Sequence, residues 1–400
     1  MIPVPRAVRP REPALRRRRA LRRRVRSRRA LPARVFLAGL LLAAVGCQAP
    51  AGPDAGADAR PVREAVAAWS AEPSGKPAGI PLEDWSYEVT SVPPHPGAQL
   101  RVPALLRYRL AGHDTAPVEA RREVEVARTE AGGAYRVLGD RPAPGAPPQL
   151  WDQGPVEVVR GAHTLVLASG RPPGEAAALA EGADRAVPAV GAAWPGEWAR
   201  RVVVLAPASL DAMAALLGRP AAEYRGLGAV TTGRVGAGPA PADRVVINPE
   251  GWAQLGEEGR RVVLTHEVTH VATRAATTAR TPQWLSEGFA DWAAYRGGSL
   301  APDRVAPTLA RAVREGRIPA TLPADADFAF GGDPQATARA YEGAWLACRL
   351  IADRWGEDKL VRLYTEAGRE ALPVALERVL GIDPDGLDRA WREALREELR

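Results

Sequence analysis

Leu264-Thr265-His266-Glu267-Val268-Thr269-His270 lies inside an apolar-periodic segment that runs on from Glu257 and reads as a helix. A spacing of four residues is about one helical turn, so His266 and His270 project from one face and can share one metal ion. Glu267 stands beside them, placed to take a proton from a water at that ion. The chain has five histidines in 400 residues, and at that frequency a chance H-E-x-x-H is expected roughly 0.004 times. Two imidazoles buried on an apolar helix without partners would be costly, so a purely structural pair is the poorer account. Working outward, Glu287 follows in Thr281-Pro282-Gln283-Trp284-Leu285-Ser286-Glu287-Gly288-Phe289-Ala290-Asp291-Trp292. Thr281 and Pro282 make a helix start, and on that helix Glu287 and Asp291 fall one turn apart on one face. The alternative for these two acids is a solvated helix surface. Trp284, Phe289 and Trp292 give the same segment a packed side.

The longer metzincin motif would need Gly and His where the chain has Thr273 and Ala276, so that subclass is excluded. The two helices together resemble the gluzincin metallopeptidases. That resemblance implies a Zn2+ held by His266, His270 and Glu287, with Glu267 as general base. It also implies that Asp291 orients a ligand histidine through its second ring nitrogen. Ala338-Arg339-Ala340-Tyr341-Glu342-Gly343 looks like the Tyr-Glu-Lys-Gly tract of aminopeptidase-N-type gluzincins, without the Lys. It makes Tyr341 the candidate for steadying the oxyanion, against the alternative of a core tyrosine. Ala229–Thr232 and Arg244–Asn248 precede the metal helix as the edge strand and its antiparallel neighbour do in gluzincins, and such an edge can bind an extended peptide. The motif that grips a substrate amino terminus is absent, which speaks against an exopeptidase. As a whole, residues 160–400 resemble the peptidase-MA-type family, most specifically over 266–341. Two rival functions stand beside peptide hydrolysis: an idle cell-surface binding lipoprotein that retains the metal site, and a zinc hydrolase of a non-peptide bond.

The expected fold is α+β: a zincin-like catalytic domain over 156–400, a mixed sheet followed by helices, behind a small α+β module over 61–150. In the module, Val62, Ala65, Val66 and Trp69 have helical spacing, and alternating stretches at 100–110 and 122–127 read as strands. This pattern looks like a nuclear-transport-factor-2-like domain, ended by Pro142 to Pro148. Further strands are expected at 156–159, 164–168 and 201–205, with helices over 174–190 and 210–217. Strands giving way to helices is the order of an α+β chain. His95, His113 and His163 are expected to face solvent. Cys348 is read as a buried, inert thiol.

Residues 1–47 hold fourteen arginines against one acid, Glu12. Removing that +13 from the net +7 leaves −6 for the rest, so the charge of the body gives no support to nucleic-acid binding. Behind the arginines runs the apolar stretch Val35 to Val45, too short to span a bilayer and suited to a signal peptide. Ala44-Val45-Gly46-Cys47 resembles a bacterial lipobox. It implies a lipidated Cys47 and a protein held on the outer face of the bacterial cell membrane, with simple secretion as the alternative; the peptidase resemblance implies a peptide or protein substrate met there. Residues 48–60, mostly Ala, Gly, Pro and Asp, read as a flexible tether. With two cysteines, Cys47 and Cys348, there is no disulfide framework.

Overall fold

The computed structural model describes residues 56–399 apart from 95–96, 131–132, 234–241 and 330–332. The signal segment, Cys47 and His95 lie outside the described residues. Helix α1 (Gly56–Ala71) buries Val62 and Val66, and its first turn takes in residues 56–60, which by composition read as tether. It lies against an antiparallel sheet of β1 (Leu82–Val89), β2 (Gln99–Leu110), β3 (Val118–Arg128) and β4 (Tyr135–Pro142), in that spatial order. Along β2, Val102, Ala104, Leu106, Tyr108 and Leu110 alternate inward, the period-two pattern of a half-buried strand. On β3 the inward set includes a charge. Arg122 is fully buried, its Nε 2.6 Å from Asp140 and its two terminal nitrogens 2.6 and 2.8 Å from the Asp152 carboxylate. Removing one partner of such a pair costs about 3–5 kcal/mol, because the other charge is left stranded.

A second, mixed sheet follows, made of β5 (Val156–Arg160), β6 (Thr164–Ser169), β7 (Val202–Ala206), β8 (Ala229–Thr231) and β9 (Arg244–Ile247). Its spatial order is β5-β6-β7-β9-β8, with β6, β7 and β9 parallel and the two outer strands antiparallel to their neighbours. Helix α2 (Glu175–Ala193) makes the crossover from β6 to β7, and α3 (Leu210–Leu217) follows β7. The six residues of β6 are all buried, as expected of a strand covered on both faces. The alternation divides them cleanly. Val166 and Ala168, with Val202, Val204 and Ala206 of β7, pack into the core shared with the helices. Leu165, Leu167 and Val203 face the other way and join the core of the β1–β4 sheet. Each such side chain contributes about 1.5–3 kcal/mol by burial, so the amino-terminal module and the second sheet are joined by a common apolar layer. One buried ion pair crosses the same join: Arg244 on β9 places two nitrogens 2.7 and 2.8 Å from the carboxylate of Asp114, in the turn after β2. The chain from Gly56 onward accordingly forms one compact unit.

The remainder is helical: α4 (Pro249–Ala253), α5 (Glu257–Thr273), α6 (Gln283–Tyr295), α7 (Pro302–Val305), α8 (Pro307–Arg314), α9 (Pro334–Trp355), α10 (Glu357–Ala367), α11 (Leu372–Leu380) and α12 (Pro384–Glu398). The class is therefore α+β. Among the described residues no helix is long and apolar enough to cross a membrane. Helix α6 starts one residue later than its sequence suggests. Pro282 takes the cap position, the Thr281 hydroxyl accepts from the Thr278 N–H, and the Gln283 N–H is capped by Asp325 at 2.8 Å.

Candidate metal centre

Helix α5 carries Glu257 and Glu258 in its first turn, where acids favour the positive end of the helix dipole. Its central turns are buried, so the residues between Val262 and Thr269 lie in the core. Three threonines on this helix donate back to the carbonyl four residues earlier: Thr265 to Arg261, Thr269 to Thr265 and Thr273 to Thr269, at 2.9, 2.7 and 3.0 Å. Their polar groups are thus satisfied within the helix. The buried hydroxyl of Tyr364 on α10 ties the two site helices together, lying 3.3 Å from Thr273 Oγ1 and 3.4 Å from Ser286 Oγ on α6.

His266 is completely buried and His270 partly so, with ring centroids 4.8 Å apart. Their Nε2 atoms stand 3.1 Å from each other, and Glu287 Oε2 stands 3.3 Å from the first and 3.5 Å from the second. A tetrahedral ion with bonds of about 2.0–2.1 Å has edges of about 3.3 Å, so these three donors already mark out one face of such a polyhedron. They are the group of side chains among the described residues that could hold a metal ion. Asp291 Oδ1 lies 2.7 Å from His266 Nδ1. An ionised carboxylate can only accept, so Nδ1 carries the proton and Nε2 is left to face the metal position.

The charges fit the same picture. Burial works to lower the pKa of His266, but the Asp291 and Glu287 carboxylates outweigh it and lift the group to about 9. Burial lowers His270, and Glu287 only partly offsets this. Glu287 is pressed upward by burial, yet the positive charge around it, to which both imidazoles contribute, holds it well below the ordinary carboxylate range.

Glu267, next to His266, is 1% exposed. Its Oε2 accepts from the Thr231 hydroxyl on β8 at 2.7 Å, while Oε1 is buried with no partner among the described residues. Glu267 thus has, one residue along the helix from His266, a buried carboxylate oxygen still able to accept a hydrogen bond. Tyr341 on α9 is buried, its ring edge-on to Phe328 at 5.1 Å. Burial pushes its hydroxyl well above the usual tyrosine range, and the charges of Glu287, Asp291 and Glu267 add to the push. The tyrosine therefore lies within electrostatic reach of all three acids. Its neighbour Glu342 points elsewhere, accepting from the N–H groups of Thr308 and Leu309 at the start of α8, and burial pushes it up to about 7.

The structure thus brings His266, His270 and Glu287 to one point, with Asp291 on His266, Glu267 next along the helix and Tyr341 within electrostatic reach. Thr231 is not singled out by the sequence. It lies 36 residues before Glu267, within the expected edge strand Ala229–Thr232 but with no role read for its side chain, and only the packing of β8 against α5 brings its hydroxyl there. His113 and His163 are half-buried rather than solvent-facing, and burial lowers the pKa of His113. Cys348 is buried and free, its thiol pushed well above its ordinary value by burial, as an inert core sulfur should be. Comparison with protein-family models, with curated proteins and with solved structures gave no match.

Proposed function

We propose that this chain is a zinc-dependent endopeptidase of gluzincin type, with a zincin-like domain behind a nuclear-transport-factor-2-like module. It would be exported by its arginine-rich signal segment and held at the membrane through lipid on Cys47. The observation that carries the reading is the triangle of His266 Nε2, His270 Nε2 and Glu287 Oε2, with edges of 3.1–3.5 Å; the next residue along the helix, Glu267, keeps a buried Oε1 with no partner among the described residues. Two imidazoles and one carboxylate form a donor set used by catalytic zinc, which keeps one position open. When bound, zinc supplies Lewis acidity, lowering the pKa of a water and drawing electron density from a carbonyl.

The protein groups supply the rest. Glu267 takes a proton from the attacking water at Oε1 and later returns it to the departing amine. Asp291 holds His266 in the tautomer that offers Nε2. Tyr341 donates to the oxygen on which charge develops. Strand β8, at the edge of its sheet, offers backbone groups along which an extended peptide can lie.

The test uses purified residues 48–400. Wild type should carry about one zinc per chain and cleave members of a peptide library. His266→Ala and Glu287→Ala should lose the metal, whereas Glu267→Gln should keep it and lose hydrolysis by orders of magnitude. A chain that binds no zinc, or a glutamine variant as active as wild type, would overturn the reading.

A further inference from the structure

One contact at the site neither holds metal nor moves a proton. The Thr231 hydroxyl oxygen lies 2.7 Å from Glu267 Oε2 and 3.0 Å from the Glu267 carbonyl oxygen. A hydroxyl has a single proton to give, and the closer, charged carboxylate oxygen is the stronger acceptor. The two oxygens of Glu267 are therefore unlike. Oε2 is held, while Oε1 is buried and unpartnered among the described residues. A buried acceptor left unpaired is destabilising, so packing alone would not select this arrangement.

Rotation about the last bond of a glutamate side chain is soft and nearly two-fold. Without a tether, the two oxygens would exchange roles and the group would swing. Thr231 is itself well fixed. It pairs with Val245 in the β8–β9 ladder, and its branched Cβ restricts its rotamer.

We propose that Thr231 is a positioning residue for the general base, holding Oε2 so that Oε1 alone is turned toward the reacting water. Its chemical consequence rests on the peptidase reading; the orientation of the carboxylate does not. The role is distinct from fold support. A hydroxyl that merely stabilised the strand would, when removed, lower the unfolding temperature and leave the carboxylate where it is.

The experiment compares the full chain with Thr231→Val, which keeps the shape and loses the hydroxyl, and Thr231→Ser, which restores it. Should the valine chain not fold, Thr231→Ala takes its place in every arm. In crystals of the zinc-loaded proteins, wild type and the serine variant should show one Glu267 orientation, with Oε2 on the hydroxyl. The valine variant should show the carboxylate rotated or divided between two orientations. On a peptide that wild type cleaves, kcat should fall about 10–100-fold for valine, the range found when a supporting hydrogen bond is lost. KM and zinc content should be unchanged, and serine should recover most of the rate. The proposal is overturned if Glu267 keeps its single orientation without the hydroxyl. It is also overturned if kcat is unaffected, or if the rate falls only in step with lost zinc. Should wild type bind zinc yet cleave no peptide, the peptidase reading fails, and the crystallographic arm alone decides whether Thr231 sets the carboxylate.

Discussion

His266 answers to two carboxylates, one at each ring nitrogen: Asp291 at Nδ1 and Glu287 at Nε2. Lifted to about 9, the metal-free imidazole holds its second proton at neutral pH, and a metal must displace it. The sign follows directly. Proton competition is fully present well below pH 9 and disappears as pH rises through that value. Zinc affinity should accordingly climb about tenfold per pH unit between pH 6 and 8.5 and level off above about 9, with a proton released on binding. Calorimetric zinc titrations in two buffers of different ionisation enthalpy measure both quantities, and a flat affinity across that range would contradict the assignment. At this scale the sequence is a good guide wherever the helix period links the residues. His266, Glu267, His270, Glu287 and Asp291 sit on two continuous helices, so spacing alone orients them. Thr231 and the cap Asp325 reach the site and its helix across the fold, and no local pattern marks them.

Helices α6 and α9 approach closely at Gly288, directly after Glu287 of the candidate metal site. A methyl group there would run into the Ala344 carbonyl oxygen and come within 2.9 Å of Cys348 Sγ. Gly288→Ala would gain about 1 kcal/mol of helix propensity. Overpacking against a rigid backbone costs typically 1–3 kcal/mol and should win. The variant should melt lower and bind zinc more weakly, because α6 must shift and carries Glu287 with it. Thermal unfolding with zinc titration checks this, and an unchanged melting temperature together with unchanged affinity would refute the close packing. Element positions follow the apolar runs: β5, β6, β7 and α3 lie within a residue or two of their expected limits, since turn residues bound each run. The start of α1 at Gly56 is not legible, because the residues before Val62 offer no apolar periodicity of their own and extend a helix anchored further along.

Across the whole molecule, the amino-terminal module and the second sheet share a core through Leu165, Leu167 and Val203. The Pro-rich stretch at 142–148 reads locally as a boundary, and the strand alternation that contradicts independence becomes meaningful only when both faces are known to be covered. The Asp114–Arg244 pair spans 130 residues, beyond the reach of any local signal. A fragment of residues 156–400 would expose one face of β6 and β7 and strand the Arg244 guanidinium. It should show no cooperative thermal transition by circular dichroism, and a fragment that melted like the whole chain would refute the shared core. With a hydrophobic layer against each face, β6 and β7 have no free side on which to yield. A larger side chain on either face of these two strands therefore presses into one of two filled cores, and neither can relieve it.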